Sequence, residues 1–452
     1  AEELAGQPLD MEWAIDHEGH VHWVQARPVT TLASDLREHD TPVSADEIVT
    51  RCNIGEMMPG ACCPLTLSIT GRGIEQGMQH MHVAYAGRPA ITDDWTQVAI
   101  SHGQMFINLS GGAVATASVL GVDVESMGQS ICGRSVPGLE GPEPKPLPVR
   151  MLGFARLLRY VLTADKAIAA FKADLDRFDI DTTGSSESVM AAIDDAVPML
   201  NLAYQVHLQS SATSGFTGGI LHGIVARGPG GKAEHDAEAA RLLAGAQDVE
   251  SAVLVDQLDA IAQQIAALPA EQATPFCEVA PEEALAWLNG GAPRAVRSAF
   301  TAFLKRHGHR GYRELCVRQP SWSQSPTDLV RTIQASVNAR IAANTVDTRP
   351  ESFRLEELPA GLRWILPKAH NAIRRREATK SMLVLTTHKL SVAYHALGQA
   401  LVAEGVLADC DQVFFLSHGE LKALVCQAKE VSVGSADWRG IGDWRWLALS
   451  FQ

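Results

Sequence analysis

The chain has 452 residues, 46% hydrophobic and 20% charged, and a net charge of −14. This is the composition of a globular protein long enough for two or three domains, and the acidic balance argues against a nucleic-acid surface. No run of 18 or more apolar residues occurs, so no membrane-spanning helix is expected. The eight cysteines show no Cys-x-x-Cys pairing, which fits a reduced, cytoplasmic setting better than a disulfide scaffold.

Ala1 to Asp10 reads as the tail of a helix entering a strand, so the chain is expected to begin inside a domain. Two short strands follow, Met11 to Asp16 and Val21 to Ala26, around the polar turn His17-Glu-Gly-His20. Period-2 alternation puts Met11, Trp13 and Ile15 on one face and Glu12, Ala14 and Asp16 on the other. Gln25 and Arg27 share a face of the second strand, and the hairpin can bring them opposite Glu12. A carboxylate, an amide oxygen and a guanidinium on one ribbon suit Mg²⁺ and a nucleotide phosphate. An ordinary hairpin with a solvated polar face has the same alternation.

The polar stretch Ala33 to Val43 marks a domain boundary. Arg51 to Ser68 is a loop rich in Pro and Gly, with a helix starting over Leu65 to Gly77. Its Asn53, Glu56 and Thr66 either face a ligand or sit in a simple chain reversal. Gln79 to Ala84 and Gln104 to Leu109 read as strands. The first carries His80 and His82 on one face; without a third ligand set by spacing, partly exposed strand histidines are preferred to a metal site, as at His20 and His22.

From Pro148 onward the pattern is helical: Met151 to Phe178, Ser186 to Leu208, Asp236 to Leu243, Val249 to Leu268, Pro281 to Leu288, Ala295 to His307, Thr327 to Ala343, Leu362 to Arg376, Thr379 to Glu404 and Gly419 to Cys426. Thr213 to Gly219 and Arg227 to Lys232 are Gly-rich stretches between helices. The second lacks the first glycine and the hydroxyl of a phosphate loop, because Ala226 and Ala233 stand there. Lys305 to Leu315 with Val317 to Trp322 sets His309, Arg310, Arg313 and Arg318 beside Glu314. These cations can meet a phosphoryl group or a carboxylate, or they form an Arg–Glu network that braces a loop. Val402 to Leu421 reads as helix, loop and strand with no chemistry, and Val431 to Gln452, with Trp438, Trp444 and Trp446, stays unassigned. The expected fold class is mainly α (α+β): a large helical domain preceded by a β-hairpin and a few short strands.

Several of these motifs carry a resemblance. Asp10-Met-Glu-Trp13, the turn and Gln25-Ala-Arg-Pro28 resemble the end of the ATP-grasp domain in the dikinase family of phosphoenolpyruvate synthase, pyruvate phosphate dikinase and rifampicin phosphotransferase. Asn53-Ile-Gly-Glu56, Pro59-Gly60 and Pro64-Leu-Thr66 resemble the opening of the acceptor-binding domain of rifampicin phosphotransferase-like proteins, and His102 to Ser110 its turn and strand. His307-Gly-His-Arg-Gly311, Glu314-Leu315 and Pro320-Ser-Trp322 are similar to a later run of that domain.

The resemblance implies that Glu12 and Gln25 hold Mg²⁺ and that Arg27 contacts a phosphate of ATP. It divides the chain into the end of an ATP-grasp domain (1–32), a linker (33–43), a mostly helical acceptor domain (44–430) and an unassigned tail (431–452). The family splits ATP, passes the β-phosphate to a histidine on a swivelling domain, and delivers it to an acceptor hydroxyl or enol with release of AMP and phosphate. No Gly-Gly-x-Thr-Ser-His-Ala motif and no nucleotide-binding Gly-rich loop occur here. The implied partners are therefore ATP, an organic acceptor, and the ATP-grasp body and phosphohistidine domain of the same protein; this chain alone is expected to be inactive. The absence of β/α alternation after Pro148 favours a rifampicin phosphotransferase-like parent over a true phosphoenolpyruvate synthase. The rivals are an ATP-dependent ligase that consumes its phosphorylated intermediate, as in prodigiosin-type condensing enzymes, and a non-catalytic small-molecule binding module.

Overall fold

The computed structural model describes residues 9–28, 37–87, 91–120, 124–141, 143–246, 248–342 and 355–433. The readings of Ala1 to Pro8, of the first linker residues and of the Trp-rich tail from residue 434 lie outside them. Among the described residues, helices dominate and the sheets are small, as the sequence pattern requires.

The chain opens on the expected hairpin, β1 (Leu9–Ile15) and β2 (Val21–Pro28). The antiparallel register pairs Glu12 with Gln25 and Asp10 with Arg27. A shift between Glu12 and Trp13 then pairs Trp13 with Trp23, which breaks the simple alternation read from the sequence.

A three-stranded sheet follows in the order β3 (Val49–Thr50), β5 (Gln104–Asn108), β4 (Val98–Ser101). Helix α1 (Arg72–Ala86), entered through Pro64–Thr66 and a π-helical turn at Leu67–Gly71, is tied to this sheet by Glu75. That carboxylate is fully buried and accepts from the backbone N–H groups of Thr96, Gln97 and Val98 at 3.0, 2.8 and 2.7 Å. Three backbone donors and two side-chain donors (Thr96 and Gln79) satisfy a charge that burial alone would not tolerate.

Gln79 to Ala84 is therefore part of a helix and not a strand. Ile74, Met78, His82 and Tyr85 recur at helical spacing and face inward, and that longer period overrides the short local alternation. His82 is correspondingly buried, edge-on to Tyr85.

The helical part begins with α2 (Leu147–Leu162) and α3 (Ala164–Leu175), one predicted helix divided at Thr163. Its centre is a pair of long helices, α4 (Ser186–Val225) and α11 (Ala360–Ala403). At 1.5 Å per residue they run about 60 Å each. The start of α4 packs against the end of α11 through Ile193, Leu200, Leu390 and Leu397, and its end against the start of α11 through Leu221, Val225, Ile365 and Ala369. The two are thus antiparallel, and Ser186 donates to Glu404 at 2.7 Å where they close.

Two expected breaks in these helices do not occur. Thr213 to Gly219 stays helical, with the Thr213 and Thr217 hydroxyls bonded one turn back at 2.8 and 3.0 Å. Packing of the helix beyond it outweighs the local cost of the glycines. Arg376 and Thr379 likewise share one helix, since no breaker lies between them.

Between the long helices, α5 (Lys232–Ala244) extends α4's antiparallel partner surface. A separate core is built from α6 (Glu250–Ala266), α7 (Ala270–Glu278), α8 (Pro281–Ala286), α9 (Arg294–His307) and α10 (Thr327–Ala342), around Ile265, Phe300, Phe303 and Ile333. After α11 the predicted strand near Val413 is a 3-10 turn, Cys410–Phe415, capped by Asp409. Val413 and Phe414 are buried in the main core rather than alternating on a sheet. Helix α12 (His418–Val433) ends the described chain. Among the described residues, no helix is long and apolar enough to cross a membrane.

Candidate functional site

The site is built on the loop that follows α9. Trp322 N–H donates to the Arg310 carbonyl and Ser323 N–H to the Gly308 carbonyl, both at 2.8 Å, so the loop closes on itself. Gly308 is required by close approach: a Cβ there would collide with the Leu304 carbonyl and lie 3.1 Å from Ser323 Cβ. Between the closed arms, Arg313 takes the left-handed conformation, φ 54°, which a non-glycine residue holds only when its surroundings enforce it. Its guanidinium reaches across to the Ala61 carbonyl and lies 3.5 Å from the Cys62 sulfur.

The loop is anchored to the 59–66 segment through Thr66 and Thr70. Buried Thr66 Oγ1 accepts from Val317 N–H at 3.2 Å, and Thr70 donates to the Leu315 carbonyl at 2.8 Å. A third wall comes from α11 and a fourth from the 3-10 turn. Arg318 binds Asp411 with both Nη2 and Nε, at 2.6 and 3.1 Å, and stacks over Phe415 at 4.8 Å.

These walls enclose a cavity of about 530 Å³ lined by Ala61, Cys63, Arg313, Cys316, Arg318, Gln319, Pro320, His395 and Asp411. That volume lies within the range of small-molecule sites. Below it, His309, Glu314, Thr387, His388 and Ser391 line a much smaller space. His388, Ser391 and His395 fall at i, i+3 and i+7 on α11 and so share one face. His388 Nδ1, Ser391 Oγ and His395 Nε2 are buried with no hydrogen-bond partner among the described residues. Unpaired buried polar atoms are costly, and a cavity ligand or water removes that cost.

Burial sets the protonation states. His309 is held down to about 4 by desolvation, with the Arg310 charge adding to it. His388 and His395 are also held below the usual imidazole range by burial, partly offset at His395 by Asp411. All three imidazoles are neutral at pH 7. Cys316 is held well below the usual thiol range, mainly because the Cys63 thiol and the Thr66 hydroxyl donate to it, and Cys63 is pushed up for the same reason.

Residues 207–377 match the family model described as the rifampicin phosphotransferase fourth domain. Uncharacterized proteins of Mycobacterium tuberculosis and Mycobacterium bovis are each 24% identical over 418 residues, 86% of this chain. The chain spans 45% of their length. The prodigiosin synthesizing transferase PigC of Serratia marcescens is 29% identical over 121 residues, 24% of this chain and 13% of its own. The match to the rifampicin phosphotransferase fourth domain contains the whole 308–323 loop, but not the 59–66 segment, His395 or Asp411 that complete the cavity.

The residues singled out from the sequence are divided by the structure. Arg313 and Arg318 line the cavity. His309 and Glu314 line the small space beneath it, His309 at 3.0 Å from the Ser381 hydroxyl. Arg310 is buried and paired with Glu314, a brace rather than a wall. Thr66 is a buried anchor. Asn53 and Glu56 are exposed and outside the lining; Asn53 also takes φ 64° and donates to the Ile131 carbonyl at 3.3 Å. For Glu12, Gln25 and Arg27 the structure gives the backbone register alone.

Sequence reasoning did not single out Asp411, His395, Cys63 or Cys316 for this site. Two signals were available: the His388, Ser391, His395 spacing on one helical face, and the capped Asp409-Cys-Asp-Gln412 turn that presents Asp411.

Proposed function

We propose that this chain forms the acceptor-binding region of an ATP-dependent phosphotransferase of the dikinase type, with an organic hydroxyl compound as the acceptor. The observation that carries the reading is the meeting of two distant family-like segments, 59–66 and 308–323, around one cavity with two guanidiniums and one unpartnered imidazole nitrogen, His395 Nε2, in its walls. The fourth-domain match supports it by covering one of those segments.

In this reading Arg313 and Arg318 offset the negative charge of the incoming phosphoryl group. Asp411 holds the Arg318 fork in place. His395, kept neutral by burial, accepts the acceptor's hydroxyl proton at Nε2. Ala61 and Pro320 present apolar surface to the body of the acceptor, and the buried ring of Phe414, 4.7 Å from that of His395, backs the imidazole. At the hairpin, Glu12 and Gln25 are directly paired in register, an oxygen donor set suited to Mg²⁺, and Arg27 lies across from Asp10. Mg²⁺ bound there neutralises nucleotide phosphate charge.

The test is to incubate the protein that carries this chain with ATP and hydroxylated aromatics, rifampicin among them. AMP and phosphate in proportion to a phosphorylated acceptor are the expected products. ADP as the nucleotide product, or AMP formed at one rate with and without every acceptor, overturns the reading.

A further inference from the structure

Two cysteines from distant segments converge on Thr66. Its hydroxyl lies 3.1 Å from Cys63 Sγ and 3.3 Å from Cys316 Sγ. Sharing that hydroxyl sets the two thiols side by side, and each shifts the other, Cys316 downward and Cys63 upward. The backbone N–H of Arg318 and the Arg313 charge add to the stabilisation of negative charge on Cys316. Burial instead pushes Cys62 up to about 11, which leaves it a protonated bystander beside Arg313. Cys63 and Cys316 both line the cavity, so a molecule little larger than water reaches their sulfurs. None of these thiols has a place in the phosphotransfer reading.

We propose that Cys63 and Cys316 form a peroxide-responsive dithiol that closes to a disulfide in the cavity wall. The inference stands apart from the proposed function. The Cys316 thiolate sulfur attacks one oxygen of hydrogen peroxide; the S–O bond forms, the O–O bond breaks and hydroxide leaves, giving a sulfenic acid. Cys63 then gives its proton to that hydroxide, and its sulfur attacks the sulfenic sulfur. The S–S bond forms as the S–O bond breaks and hydroxide departs. Together the two sulfurs lose two electrons, and peroxide is reduced to one water and one hydroxide. External thiol reverses the bridge by exchange. The bridge ties the 59–66 segment to the 308–323 loop and removes the thiolate that faces Arg313 and Arg318.

A second cysteine pair makes a useful comparison. Cys132 lies 3.6 Å from the Thr50 hydroxyl, which also accepts from the Cys52 backbone N–H at 3.1 Å, so this pair too shares a threonine. It lines no part of the cavity.

The experiment uses the unaltered chain. Fully reduced protein is treated with hydrogen peroxide, blocked with iodoacetamide and digested with trypsin. Cleavage frees residues 314–318 with Cys316 and residues 52–72 with three cysteines, so fragment spectra must assign the bridged sulfur. The expected result is that most of the 314–318 peptide is joined to Cys63 and is released by dithiothreitol. Cys63→Ser protein is expected to stop at a Cys316 sulfenic acid, trapped by dimedone. Alkylated Cys63 and Cys316 after peroxide overturn the proposal. So does a bridge to Cys62, a Cys52–Cys132 bridge in its place, or a Cys63–Cys316 link confined to covalent dimers. Because the mapping is done on the unaltered chain, a variant that fails to fold does not spare it.

Discussion

The two ends of the loop after α9 carry the same pairing in opposite settings. At one end Arg310 and Glu314 are closed off, with 11% and 13% of their side chains exposed, among imidazoles that burial keeps neutral. At the other, Arg318 and Asp411 keep 44% and 43% exposed at the mouth of the cavity. An ion pair taken from water is costly to make and costlier to break, so the first end is a brace. An exposed pair adds little to stability, so the second serves to aim Arg318 at a ligand in the cavity rather than to hold the fold. Arginine beside carboxylate does not by itself mark a site; the space around it does.

The comparison breaks most readily at the brace. Glu314→Ala leaves Arg310 buried without its partner and is expected to cost about 3–5 kcal/mol in urea denaturation. A cost below about 1 kcal/mol would mean that water reaches the pair and that the two ends are alike.

Acid gives the next effect. His309 titrates at about 4 in the fold against an ordinary value of 6.5, so the unfolded chain binds the proton more tightly. Its contribution is complete above pH 6.5 and is lost as pH falls from there toward 4. Between pH 7 and 4.5 this amounts to about 2 kcal/mol. The stability difference between the protein and His309→Gln, followed by denaturation across that range, should shrink by this amount; a constant difference contradicts the assignment.

A smaller effect comes from the far wall. A Cβ on Gly398 collides with the Cys410 carbonyl and pushes the turn that carries Asp411 away from α11. Gly398→Ala is expected to destabilise by about 1–3 kcal/mol, with the overpacking relieved by backbone shift. Nuclear magnetic resonance shifts at Asp411 and Arg318 should move together; unchanged shifts there would show that the turn absorbs the methyl elsewhere. The smallest effect on stability belongs to Arg318→Ala, within about 1 kcal/mol. A loss of several kcal/mol would make the open end a second brace.

Much of this arrangement was legible in the sequence. The helical part declared itself through the 3.6-residue period, and the run around His309 to Arg318 read as a loop between helices with an Arg–Glu network as one of its two readings. The hairpin register could be read from its alternation up to the shift beside Trp13. What could not be read depends on contacts between distant segments. Gly218 and Gly219 look like a break until Leu221 and Val225 are seen buried beyond them. Asp411 sits in a stretch that reads as helix, loop and strand with no chemistry, and only the fold brings it to Arg318. Cys63 and Cys316 share a threonine that no spacing connects.

The most direct test of the central claim, that the cavity between 59–66 and 308–323 holds the acceptor, is calorimetric titration of the chain with hydroxylated aromatics, rifampicin first. Arg318→Ala should weaken binding at least about tenfold, or 1.4 kcal/mol. Arg177→Ala, which removes an exposed Arg–Asp pair at the end of α3, should leave it unchanged. Equal affinity in the protein and in Arg318→Ala would contradict the account.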